Sequence, residues 1–170
     1  AAFDTPTPKM LAHGLNELQT RGCKRLALLS STAAGRPYHK QFTSSAKTLG
    51  FDVDENLLHA VSLNDYDWGA NIIKLLLALP NNMRPGAIVV QDDTLLPTCI
   101  EAIKSSSVAL GKNLQVLAYC NFPVDQASHP DIIRLGFDFG VGSELLSQHL
   151  NNQRLNINQS NVVKIPSCLA

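Results

Sequence analysis

Gly86-Ala87-Ile88-Val89-Val90-Gln91-Asp92-Asp93 is the stretch that decides the fold. A run of apolar, mostly β-branched residues stops abruptly at an amide and two adjacent carboxylates. An amphipathic helix pattern follows at once, with Leu95, Leu96, Cys99, Ile100 and Ile103 on one face. A short continuous apolar run reads as a strand buried on both faces, as in a parallel sheet with helices on either side. In such sheets ligands sit outside the carboxyl ends of the strands. Gln91, Asp92 and Asp93 therefore stand where a small polar molecule would be held.

Upstream, the pattern predicts a helix over 5–20. Pro6 and Pro8 suit its first turn, Leu11, Leu15 and Leu18 share a face, and Gly22 stops it. Residues 24–30 (KRLALLS) predict a strand, followed by a small polar loop over 31–35 and a helix over 37–49 that Gly50 ends. A weaker strand pattern lies within 56–63. Asn64 or Asp65 is placed to cap a helix whose Ile72, Ile73, Leu76 and Leu77 form one stripe, with Pro80 ending it. Downstream, strands are predicted at 115–119 (QVLAY) and near 132–137, separated by a polar loop over 121–131. A helix follows over 141–150, then an Asn- and Gln-rich surface loop over 151–160 and a last edge strand within 161–165. Helices alternating with strands at this spacing predict an α/β fold: an open, mostly parallel sheet flanked by helices in three α/β/α layers.

The chain has 170 residues, 45% of them hydrophobic, enough for one sizeable core and part of a second lobe. Its formal net charge is +0, only 16% of residues are charged, and no basic stripe runs through it, so it carries no electrostatic footprint for nucleic acid. The apolar runs are too short to span a bilayer and no signal peptide opens the chain, so no membrane association is expected. Cys23, Cys99, Cys120 and Cys168 are widely spaced with no C-x-x-C pair, which favours free thiols in a reducing compartment over disulfides or zinc. The chain opens on Ala1 rather than a methionine, and the expectation is a piece of a longer protein.

Three predicted strands end in polar clusters at the same edge: Ser30-Ser31-Thr32, Gln91-Asp92-Asp93 and Tyr119-Cys120-Asn121. Hydroxyls, carboxylates and carboxamides on rigid strand ends match a polyhydroxylated ligand, because each sugar hydroxyl both donates and accepts. Trp68, the only tryptophan, falls in the first turn of the helix after Asp65, where its face could stack on a pyranose or purine ring. Plainer roles stand beside these. One of Asp92 and Asp93 is expected to cap the following helix, and Trp68 serves equally well as a hydrophobic staple. Enzyme readings find little support. There is no G-x-S-x-G elbow around Ser30 or Ser31, no Walker or G-x-G-x-x-G motif, and no pair of histidines at metal-ligand spacing. No catalytic residue, metal or cofactor is expected.

The order of these pieces resembles the lactose/galactose repressor family. The passage from Leu18 through Arg21-Gly22-Cys23-Lys24-Arg25-Leu26-Ala27-Leu28-Leu29 is similar to that family's L-x-x-x-G-H-R-x-I-A-x-I. Residues 42–50 resemble the G-F-x-x-A-L helix after it. Arg84-Pro85-Gly86-Ala87-Ile88-Val89-Val90-Gln91-Asp92-Asp93 resembles P-D-A-I-x-x-x-N-D. Residues 114–121 are similar to I-S-V-V-G-F-D-D, and 129–150 to P-x-L-T-T-V followed by G-x-x-A. Each motif is degenerate, while their order and spacing agree over nearly the whole chain.

The resemblance implies a periplasmic-binding-protein-like fold, two α/β lobes with a small effector, a sugar or a purine, in the cleft between them. It also implies that only the later part of such a protein is present. About 22–125 would form one nearly complete lobe, about 1–21 and 126–158 segments of the other, and 159–170 a returning tail. The amino-terminal helix-turn-helix that reads operator DNA would be absent. Site roles carry over by position. Asp92 falls on a ligand-binding Asn or Asp, Trp68 on an effector-contacting aromatic, and Cys120 where an Asp usually takes sugar hydroxyls. Tyr38 falls where a binding Arg is common, with Arg36 two residues earlier and able to compensate if the loop shifts. Asn121 and Ser31 complete the expected set. The Cys and Tyr replacements favour a ligand less polar than a simple hexose. The resemblance assigns ligand contact to Asp92 and leaves capping to Asp93 or Thr94. The implied whole is a cytoplasmic, homodimeric transcription regulator that is not an enzyme and touches operator DNA only through the missing part. The alternative is a periplasmic sugar-binding protein of the same fold that feeds an ABC transporter.

Overall fold

The structure is a computed structural model and describes residues 2–4, 7–123, 129, 131–154 and 162–170. Its elements in chain order are β1 (Ala2–Asp4), α1 (Thr7–Thr20), β2 (Leu26–Ser31), α2 (Gly35–Thr48), β3 (Leu58–Val61), α3 (Tyr66–Ala78), β4 (Ala87–Val90), α4 (Leu96–Lys104), β5 (Gln115–Phe122), β6 (Ile132–Asp138), α5 (Phe139–Arg154), β7 (Val162–Lys164) and β8 (Ser167–Leu169). The main sheet has six strands in the order β3-β2-β4-β5-β6-β8. All its pairings are parallel except the last, where β8 runs antiparallel to β6. The open, mostly parallel sheet in three layers is thus as the sequence predicts.

The central strands explain themselves. Every residue of β2 and β4 is buried, so alternate side chains serve two cores. Ala27, Leu29, Ile88 and Val90 meet the stripes of α3 and α4. Leu26, Leu28, Ala87 and Val89 meet α1 and α2 on the other face. The strand order reverses between β2 and β4: β3 lies to one side of β2, and β5 and β6 lie beyond β4. A crevice at the carboxyl ends of the strands is the consequence of such a reversal.

The expected division into lobes is corrected at two points. Helix α1 belongs to this sheet rather than to another lobe. Met10, Leu11, Leu15 and Leu18 are buried in the same core as Leu28, Val89, Leu117 and Leu135, each contributing roughly 1.5–3 kcal/mol by burial. Gly14 permits the close approach, because a Cβ there would lie 2.7 Å from Leu117 Cδ2 and 2.8 Å from Leu135 Cδ2. Strand β6 is likewise a member of the main sheet, paired with β5 from Val116↔Ile132 to Phe122↔Asp138.

Outside the main sheet lie β1 and β7, which pair with each other in parallel, and α5, which packs against β7. The edge strand expected within 161–165 is therefore β7 in this small second sheet. The edge of the main sheet is β8, extended by backbone bonds between Arg134 and Ala170. The chain passes between the two sheets before α1, after β6 and between β7 and β8. Helix α5 runs further than expected at both ends, taking in 151–154 of the predicted loop. The start of the predicted first helix (5–6), most of the predicted 121–131 loop (124–128 and 130) and 155–161 of the predicted tail lie outside the described residues.

Candidate functional site

Because β2, β4 and β5 are parallel neighbours, their polar ends meet at one edge, and hydrogen bonds tie them together. Gln91 Oε1 accepts from the Ser31 backbone N–H (3.2 Å) and lies 3.4 Å from the Ser31 hydroxyl, which donates to it. Asn121 Nδ2 donates to Asp93 Oδ2 (3.2 Å), joining the end of β5 to the turn after β4. The Tyr38 hydroxyl donates to that of Tyr119 (3.0 Å), with the rings edge to face at 86° and centroids 6.3 Å apart. Burial pushes both phenols above their ordinary range, so the pair is neutral at physiological pH.

The ends of β4 and β5, with β6 and the start of α1, line a cleft of about 210 Å³. Its floor is Gln91, Asp92, Asp93, Tyr119, Cys120 and Asn121, and Met10, Gly136 and Phe137 form a wall. Two carboxylates line it, and no lysine, arginine or histidine does so among the described residues. The strands themselves keep the space open. Cys120 pairs with Gly136 across β5 and β6, and a Cβ at Gly136 would fall on the Cys120 carbonyl oxygen. A glycine is required there.

Asp92 resolves the choice between cap and ligand contact. Its Oδ1 accepts from the Thr94 N–H (3.1 Å) and the Thr94 hydroxyl (2.6 Å), capping the 3₁₀ turn over Asp93–Leu95. The expectation that capping falls to Asp93 or Thr94 is corrected: Asp92 is the cap, and Thr94 is what it holds. Oδ2 has no hydrogen-bond partner among the described residues, so one oxygen fixes the carboxylate while the other is available to the cleft. The two roles do not compete.

Cys120 is 93% buried by exposure to solvent, with 7% of its surface accessible. Its thiol lies 3.7 Å from the Ala118 carbonyl. Burial pushes the thiol pKa up to about 11, Arg134 opposes that shift and Asp93 adds to it. The group is a neutral, weakly polar wall rather than a thiolate.

Four of the predicted site residues do not line the cleft: Ser31 and Tyr38 stand behind it, bonded to Gln91 and Tyr119, while Trp68 and Arg36 lie elsewhere. Trp68 is 57% exposed in the first turn of α3 and does not line the cleft. The predicted Asp65 cap there makes no side-chain bond; only its carbonyl accepts, from Trp68 N–H at 3.3 Å. Arg36 is already inside α2, two residues and so about 200° from Tyr38. Tyr38 turns toward Tyr119, while Arg36 lines a separate groove with His39 and Lys40. Arg36 therefore stands on a different face of α2 from Tyr38 and lines that groove rather than the cleft.

Met10 and Phe137 were missed. They come from α1 and β6, distant in sequence, and only the assignment of both elements to the main sheet would have revealed them. A Ser30–His39 contact (Oγ to Nε2, 2.7 Å) also appears, but Ser30 is fully buried and also bonds the His59 carbonyl, so it binds structure together rather than meeting a substrate.

No family model matches the sequence and no curated protein matches it. Solved structures do match in fold. A regulatory protein of LacI family from Chloroflexus aggregans aligns with a TM-score of 0.83 at 17% identity, over 98% of this chain and 60% of that one. LacI family transcriptional regulator structures from Lactobacillus casei align at TM-scores of 0.74 with bound glucose and 0.75 with bound sucrose, each at 18% identity and over 98% of this chain and 62% of theirs. The fold is that of these proteins, and the chain spans about three fifths of their length.

Proposed function

We propose that the cleft binds a small polyhydroxylated effector, a sugar or a purine-like molecule, and that the chain is the effector-sensing part of a bacterial transcription regulator. The observation that carries this reading is the arrangement at Asp92: a carboxylate locked by its own cap, with Oδ2 free, at the carboxyl end of the strand beside the sheet's reversal point. A charge-assisted hydrogen bond from a ligand hydroxyl to Oδ2 needs such a fixed acceptor, with Asn121 and Gln91 beside it to donate. The sugar-bound relatives in fold support the same choice. Cys120, Tyr119 and Phe137 make one side less polar, favouring a ligand with an apolar face.

In this reading β1, α5 and β7 belong to a second lobe, joined to the main sheet by the three chain crossings. An effector that touches both lobes binds their closed arrangement better and so shifts the population toward it. That change would be relayed to an operator-binding segment in the longer, dimeric, cytoplasmic protein. The cleft residues supply recognition and no chemical step.

The test is calorimetry of the full-length protein against a panel of sugars and purines, comparing wild type with Asp92→Asn and Asp92→Ala. Asn keeps the Oδ1 acceptor that caps Thr94, so it isolates Oδ2. Loss of a charge-assisted hydrogen bond weakens binding on the order of ten- to a hundredfold. Unchanged affinity in both variants removes Asp92 from the site.

A further inference from the structure

We propose that the groove between α2 and the edge strand β3 is a second ligand site, for a small hydroxylated phosphomonoester. Arg36, Lys40, Thr43 and Ser44 fall at i, i+4, i+7 and i+8 along α2, a single helical face roughly 12 Å long. That face borders a concavity of about 680 Å³, closed on its other side by Glu55 and Leu58. The volume lies in the range of small-molecule sites.

Both cations are uncommitted. Arg21, Arg25, Arg84 and Arg134 each donate to a defined acceptor. Among the described residues, Arg36 and Lys40 make neither an ion pair nor a hydrogen bond. The hydroxyls of Thr43 and Ser44 are equally unengaged, whereas His39 is held by Ser30.

The donor set selects the ligand. A planar guanidinium and an ammonium one turn apart suit the oxygens of a phosphate dianion, with the fork taking two and the lysine acting as a point charge. Glu55 lines the groove without pairing to either cation. A single carboxylate there disfavours an extended polyanion and offers an acceptor to a ligand hydroxyl, as Thr43 and Ser44 do. Among the described residues no Phe, Tyr or Trp lines the groove, and its one ring, His39, is tied to Ser30, so a nucleobase finds no large aromatic face to stack on. What remains is a short polyol carrying one phosphate.

Glycerol 3-phosphate is the probe, titrated calorimetrically into this chain at low ionic strength, with sulfate as competitor and glycerol as control. Expected are saturable binding, no heat from glycerol and no displacement by equimolar sulfate. Arg36→Gln/Lys40→Gln should weaken binding by about tenfold or more, while Asp92→Asn in the cleft leaves it intact. Circular dichroism checks that the double variant, at two exposed positions, stays folded. The proposal is overturned by an absence of saturation, by equal competition from sulfate, by a folded double variant that binds as wild type does, or by loss of binding in Asp92→Asn.

Discussion

Gly14→Ala sets two effects of known size against each other. On an exposed helix, alanine in place of glycine stabilises by about 1 kcal/mol. In α1 the new Cβ would lie 2.7 Å from Leu117 Cδ2 and 2.8 Å from Leu135 Cδ2, well inside the roughly 3.5–4.0 Å optimum for carbon pairs. Both leucines are 0% exposed, so neither can swing aside without displacing the core. Overpacking of this kind costs about 1–3 kcal/mol. Subtracting the propensity gain leaves Gly14→Ala between neutral and about 2 kcal/mol destabilising. Gly14→Val, which adds further methyl groups and gains less propensity, should be worse by about 1 kcal/mol or more. The assay is urea unfolding followed by circular dichroism. A Gly14→Ala/Leu117→Ala double variant supplies the coupling, since truncating Leu117 makes room for the new methyl; the pair should be more stable than the sum of the singles by about 0.5 kcal/mol or more. Stabilisation of the single variant by the full helix-propensity gain would refute the packing of α1 on β5 and β6, and with it the placing of Met10 on the cleft wall.

Other expectations concern titration. Burial lowers the His59 pKa, so the unfolded chain binds more protons than the folded one below the ordinary histidine range near 6.5. The contribution is present above that pH and is lost as pH falls toward the folded-state value; His59→Gln should flatten the loss of stability as pH falls below about 6.5, and an unaltered acid limb would count against it. Cys120, raised to about 11, should react with iodoacetamide at pH 8 on the order of a hundredfold more slowly in the folded chain than in urea. Peptide mapping by mass spectrometry reads this, and equal rates would contradict the buried neutral thiol. The same raised value works in the opposite direction to His59: its stabilisation is complete below the ordinary thiol range and disappears as pH rises through about 11.

Most of the main sheet is legible in the sequence because its central strands are buried on both faces. The runs in β2 and β4 leave no other economical reading, and the helices between them show clear stripes. Helix α1 shows why the rest is harder to read. Leu11, Leu15 and Leu18 announce a buried face, but nothing in their spacing says which sheet covers it. Strand β5 runs three residues past its predicted end because it pairs with β6 as far as Phe122↔Asp138, a long-range register with no local signal. Strands β1 and β7, at three residues each, are too short for periodicity to register. At the site, Asp92, Cys120 and Asn121 are legible as strand-end polar residues. Arg36 and Trp68 are carried away from the cleft by helix phase and by exposure, which a positional resemblance does not encode.

The central claim is that the crevice at the carboxyl ends of β4, β5 and β6 is where the effector sits. The most direct measurement is the backbone amide NMR spectrum of the full-length protein, titrated with the sugar or purine that gives the strongest calorimetric signal. The predicted result is that the largest saturable shifts fall on Gln91, Asp92, Asn121 and Gly136, and that Asp92→Asn moves their midpoint to ligand concentrations on the order of ten- to a hundredfold higher. Shifts confined to other surfaces, with those four amides unmoved at saturation, would contradict it.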